Sequence, residues 1–177
     1  MLKYLPLILC FFLISLDEET IEWHDGLKLE WNNFKGQPDS NNKAVAITAS
    51  GLTFGYSVQK TNDLITSFQA NVKAHFYPDK SWYKSEQVND TILMHERLHF
   101  DITEWHARQL RFQMSNLETS QDIEKKLDSL YYEISQTLRK TQSQYDLESD
   151  HSRNLENQLV WQKKVAEELK NLESFKE

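Results

Sequence analysis

Up to about residue 84 the apolar residues recur at every second position, and from about residue 88 onwards at every third or fourth. A period of two belongs to a half-buried strand, because successive side chains leave a pleated backbone on opposite faces. In LKLEW, Leu27, Leu29 and Trp31 share one side. The turn KGQPDSNN follows, then AVAITA and LTFGYSV, separated by Ser50 and Gly51. A longer alternating run, SFQANVKAHFYP, places Phe68, Ala70, Val72, Ala74 and Phe76 together, and Pro78 ends it. Three or four antiparallel strands are therefore predicted over 21–84, with 68–77 as the edge strand. DKSWYKS leads out of this region.

From residue 88 to the end there is neither proline nor glycine. The spacing predicts three helices, over 88–116, 120–147 and 153–175. On the first, Met94, Leu98, Trp105 and Phe112 form one stripe and Leu93, Phe100 and Ala107 another. Apolar groups on two sides imply a helix wedged between a sheet and other helices. The second carries Ile123, Leu127, Leu130, Ile134 and Leu138; the third carries Leu155, Leu159, Ala166 and Leu169. The expected class is α+β: a small antiparallel sheet packed on a long helix, an antiparallel helical hairpin and a C-terminal helix.

The ends and the composition narrow the setting. Lys3 precedes an apolar run over residues 4–16, which stops at Asp17, Glu18 and Glu19. That length suits a signal peptide and is short for a bilayer span, so residues 1–16 read as a signal peptide or N-terminal anchor. Residues 17–177 then form one domain, exported to the periplasm or secreted, and tethered to the membrane where the leader stays uncleaved. Cys10 is the only cysteine, which excludes a disulfide scaffold, a thiolate metal site and a cysteine nucleophile from the domain. A net charge of −7 argues against nucleic acid as a partner.

The candidate chemistry lies in HERLHFDITEWH, residues 95–106, which holds three of the six histidines. His95, Glu96 and His99 form H-E-x-x-H, and side chains at i and i+4 of a helix stand one turn apart on one face, so both imidazoles reach one ion. Zinc on neutral nitrogen ligands lowers the pKa of its water, and Glu96 stands close enough to accept the proton. Shuffling this composition yields the motif in roughly two per cent of sequences.

A catalytic zinc site takes three protein ligands as a rule. His106 lies about 10 Å further along an unbroken helix, and Glu104 faces almost the opposite side. Asp101 lies in the stripe of Met94, Leu98 and Trp105 and reads as an ion-pair partner or a hydrogen-bond acceptor behind the ligands. In an antiparallel hairpin turning near 117–120, residue 95 sits about 35 Å from the turn, and the returning helix regains that level near 141–145. YDLESDHSRN then arrives beside the two histidines, with His151 as the expected third ligand. Asp146 is expected to orient His151, and the Tyr145 hydroxyl to hydrogen-bond an oxyanion.

These residues together resemble a family of exported bacterial proteins regarded as secreted zinc-dependent proteases. The likeness lies in W-x-x-F-x-G-x-P at Trp31, Phe34, Gly36 and Pro38, in F-x-P-x-x-S-W at 76–82, in H-E-x-x-H-F-D-I at 95–102, in Y-D-x-E-[ST]-x-H at 145–151 and in Q-x-x-W at 158–161. The resemblance implies a zincin-type helix, one Zn2+ on His95, His99 and His151, Glu96 as catalytic base, and a peptide or protein as substrate. One departure is Ser152, where the family pattern carries glycine. The alternative from a different class is a non-enzymatic metal-binding or protein-interaction module of the cell envelope.

Overall fold

A computed structural model describes residues 19–177, so the expected leader and Cys10 lie outside the described residues. The fold is α+β, in the order β1 (Ile21–Glu22), β2 (Ala46–Ile47), β3 (Ser50–Thr61), β4 (Leu64–Phe76), β5 (Trp82–Tyr83), α1 (Asp90–Ser115), α2 (Ile123–Glu148) and α3 (Leu155–Asn171). Short 3-10 turns lie at Trp31–Asn33, Pro78–Lys80 and Glu173–Phe175. No helix among the described residues is long and apolar enough to cross a membrane.

β3 and β4 form one long hairpin, paired from Ser50 opposite Phe76 to Thr61 opposite Leu64. Asn62 and Asp63 close it with both φ angles positive (50° and 63°), the conformation that matches the twist of a two-residue hairpin and that Asn and Asp tolerate best. β1 adds two residues to the far end of β4, Ile21 opposite Phe76 and Glu22 opposite His75. Residues 68–77 are therefore not an edge strand throughout: at its C-terminal end β4 is the central strand of the order β1-β4-β3.

The predicted alternation of β4 holds, with Val72, Ala74 and Phe76 buried against Leu93, Phe100, Ala107 and Leu110 of α1 and Ile123, Leu127 and Ile134 of α2. A second apolar cluster unites Leu98, Ile102 and Trp105 with Leu138 and Tyr145 of α2 and Trp161 and Val165 of α3. α1 is thus covered by the sheet on one side and by two helices on the other, as its two stripes required. The core face of α3 differs from the expected one: Leu155 and Leu159 are exposed, while Gln158, Trp161 and Val165 are buried. Polar anchors decide this rotation. Gln158 donates to the Thr91 carbonyl, and Trp161 Nε1 donates to Glu148.

LKLEW keeps its sidedness without becoming a strand. Leu29 enters the core and Trp31 stacks on Tyr83 at 4.7 Å, yet no strand pairs with the segment. Its Leu29 carbonyl is taken instead by Arg97 Nε. AVAITA contributes only β2, which leaves the main sheet and pairs with β5, a strand not foreseen. The two aromatic motifs meet here. Gly36 donates to the carbonyls of Pro78 and Ser81, and a Cβ on it would lie 2.8 Å from the Asp79 carbonyl oxygen, so only glycine fits. Ser81, fully buried, donates to the Tyr77 carbonyl and accepts from the Ala49 N–H, which pins the segment leading out of β2 beside α1.

Candidate metal centre

α1 begins where Asn89 accepts a hydrogen bond from the Ile92 N–H, an N-cap that satisfies one of the orphan donors of the first turn. One turn further on, His95, Glu96 and His99 face α2, exposed by only 4%, 4% and 7%. α2 returns antiparallel and brings Asp146 to their level, one residue beyond the range that the rise per residue gave.

Asp146 Oδ1 lies 3.1 Å from His95 Nε2 and 3.0 Å from His99 Nε2, and the two nitrogens are 3.2 Å apart. Donors on a tetrahedral zinc at 2.0–2.1 Å are separated by about 3.3–3.4 Å. The three atoms nearly form that triangle, so the buried His95 and His99 with the half-buried Asp146 could hold a metal ion. Two imidazoles and one carboxylate are a donor set suited to a first-row divalent cation.

The structure groups a different third residue with the two histidines than the one expected. His151 lines the same cleft, but its side chain is 68% exposed and its Nδ1 stands 3.8 Å from Asp146 Oδ1, outside the converging triad. Asp146, expected to orient His151, is instead the carboxylate that converges with the two histidines. The hairpin arithmetic pointed to this level of α2. The histidine three residues past the helix end drew attention from the carboxylate still on it.

Tyr145 is fully buried behind the cluster rather than in the cleft. Its ring stacks on His95 at 4.5 Å and meets His99 at 5.1 Å, and its hydroxyl has no partner among the described residues. The packing that fixes the two imidazoles thus closes the hydroxyl off from an incoming carbonyl. Asp101 is not behind the ligands either. It accepts from Trp23 Nε1 at 2.8 Å and lines a separate groove with Leu27, Leu98 and Leu169. His106 is buried as a structural histidine, with Nδ1 donating to the Ile102 carbonyl and Nε2 accepting from Thr141. Glu104 is buried in ion pairs with Arg108 and Arg111.

The electrostatics follow from burial and mutual contact. Burial opposes the charge on Asp146, but hydrogen bonds from His95 and His99 and their charges hold its carboxyl well below the usual range. Burial likewise works against a charge on His99, yet the hydrogen bond to Asp146 and the charges of Glu96 and Asp146 win, so its pKa is raised. Tyr145 is pushed up, first by burial and then by the nearby carboxylates. The Glu96 carboxylate makes no hydrogen bond to any described residue, although the residue is almost fully buried and lines the cleft.

The cleft itself is about 690 Å³, a size suited to a bound ligand or a short peptide stretch. One wall is the segment 42–48, and the other comprises α1, Gln142, Asp146 and the loop His151, Ser152 and Arg153. Thr48 Oγ1 donates to the Glu96 carbonyl and ties the first wall to the metal helix. The Lys84 N–H bonds the Val45 carbonyl, so by antiparallel alternation Ala46 turns its own N–H and C=O away from β5. Sequence reading missed this wall because β2 is only two residues long.

The profile of a family described as "Bacterial protein of unknown function (DUF922)" matches residues 24–152. Those residues run from the first core-forming loop to the residue after His151. No curated protein and no solved structure gives a significant match.

Proposed function

The chain belongs to the bacterial DUF922 family, and on the geometry of its cleft we propose that it is a zinc-dependent metallopeptidase of the cell envelope. The observation that carries the reading is Glu96: on a largely buried residue, its carboxylate makes no side-chain hydrogen bond to any described residue and opens to the cleft beside a triad of converging ligand atoms. A carboxylate that faces a cleft without a protein partner is free to engage a small polar molecule there. The attacking water of a hydrolase is such a molecule.

His95, His99 and Asp146 would hold the ion. When bound, zinc would supply a Lewis acid for the scissile carbonyl and would lower the pKa of the attacking water. Glu96 accepts the proton of the attacking water as its oxygen adds to the carbonyl carbon and the carbonyl π pair moves onto oxygen. The same carboxyl returns the proton to the departing amide nitrogen as the C–N bond breaks. An extended substrate would add as a strand to the free edge at Ala46. The arrangement of a cleft-lining edge strand beside the H-E-x-x-H helix supports a zincin-type packing, and the apolar run of sequence over residues 4–16 is what favours export.

Glu96→Gln tests the reading. The expected result is an equimolar zinc content with hydrolysis of a casein or mixed-peptide substrate reduced by about 10²–10⁴-fold. Hydrolysis at the unaltered rate in that variant would remove the mechanism.

A further inference from the structure

We propose that His151 is a catalytic residue that donates a hydrogen bond to the substrate oxyanion, and that it is not a ligand of the metal. The proposal rests on the peptidase reading and assigns the donor which that reading lacks. Addition of water leaves negative charge on the former carbonyl oxygen, and donors already aimed at that place are worth most.

The cleft offers few donors that are free to serve. Tyr145 is enclosed behind His95. Gln142 Nε2 is committed to Thr103 Oγ1 at 3.1 Å, and Arg153 is paired with Asp150 at 2.6 Å and 3.0 Å. Asn42 and Lys43 remain on one wall and His151 and Ser152 on the other; of these, His151 stands beside the ligand triad, its Nδ1 3.8 Å from Asp146 Oδ1. Lys43 sits on an exposed, flexible stem. His151 is tethered at both ends: its N–H bonds the Asp146 carbonyl at 2.8 Å, and the next residues close on Asp150 and Ser149 through the N–H groups of Arg153 and Asn154.

The backbone there is held in a conformation that L-residues avoid. Asp150, His151 and Ser152 all have positive φ, at 50°, 49° and 73°. Three consecutive left-handed residues without a glycine carry strain, and such strain gathers where a side chain must be presented in one direction. The turn presents the imidazole to the cleft, with Nδ1 on the Asp146 side at 3.8 Å. It is near enough to feel that carboxylate and too far to complete the triad.

His151→Gly is the first test, because glycine suits the left-handed position and the fold should survive. With cobalt substituted for zinc, the visible absorption band and the equimolar metal content should match those of the unaltered protein, whereas Asp146→Ala should change both. Affinity for a phosphinic isostere of acetyl-alanyl-alanine amide, a mimic of the tetrahedral state, should fall tenfold or more in His151→Gly. It should fall less in His151→Gln, which keeps a donor, and stay level in Lys43→Ala. Acetohydroxamate, which chelates the metal directly, should bind all of them alike. Loss of cobalt or a shifted band in His151→Gly would make His151 a ligand and overturn the proposal. Undiminished phosphinate affinity in that variant, or a loss in Lys43→Ala instead, would also overturn it. A metal-loaded unaltered protein that binds acetohydroxamate but no phosphinate would remove the peptidase reading as well.

Discussion

Asp101 shows how one carboxyl on the metal helix can matter without touching the metal. Burial pushes it up to about 6, and its hydrogen bond from Trp23 and the charges of Arg108 and Arg97 only partly offset that. Because the folded value lies above the unfolded one near 3.8, the native state holds its proton longer. Stability tied to this group is therefore complete below about pH 4 and is lost as pH rises through 6. The cost of ionising it on folding is on the order of 2–3 kcal/mol at 1.36 kcal/mol per pKa unit. Asp101→Asn keeps an acceptor for Trp23 and removes that cost. Urea unfolding at pH 4.5 and pH 8 should show the variant gaining clearly more on the unaltered protein at the higher pH. Equal gains at both would mean that Asp101 does not titrate in this range. At this level the sequence was deceptive: a helix position says which side a residue faces, and the face opposite the metal belongs to the groove with Trp23, a residue far away in the chain.

The loop between α2 and α3 is the element on which the site most depends, and its conformation follows from local chemistry. The Ser149 N–H bonds the Tyr145 carbonyl and ends α2, and Asn154 caps α3 by accepting from the Asn157 N–H. Between them the chain turns through left-handed residues that glycine would occupy without strain. Ser152, at φ 73°, stands where the resembling family carries glycine. Ser152→Gly should stabilise the fold by about 0.5–1 kcal/mol, since relief of the left-handed conformation outweighs the extra freedom of the unfolded chain. Thermal unfolding should then shift upward by about 2–4 °C per kcal/mol, and an unchanged or lower midpoint would show that Ser152 is not strained. Helices were the legible elements, because long 3.6-residue periods without proline or glycine leave little alternative. Their ends fell within a few residues of 90–115, 123–148 and 155–171. Short strands were not legible. LKLEW alternates as a strand does yet pairs with nothing, while Ala46–Ile47 and Trp82–Tyr83 pair over two residues and leave no periodic trace.

Across the molecule, the ion would act on a fold that already has its own support. One apolar cluster joins the hairpin to α1 and α2, and the other joins α1 to α2 and α3. Arg108, almost fully buried, pairs with Glu104 and donates to the Leu169 carbonyl, while Arg111 donates to the carbonyls of Val72 and Phe175, so the C-terminal turn is tied to α1 and the sheet. None of these contacts passes through His95, His99 or Asp146. The metal-free protein should therefore unfold in one cooperative transition, and zinc should only raise its midpoint. At free zinc one hundred times the dissociation constant the added stability is about 2.7 kcal/mol, which for a chain of this length is a shift of about 5–11 °C. Calorimetry before and after dialysis against dipicolinate measures it. A non-catalytic envelope module built around a structural ion predicts the opposite, loss of the transition on chelation. That outcome would move the ion from the chemistry to the architecture and leave Glu96 without a task.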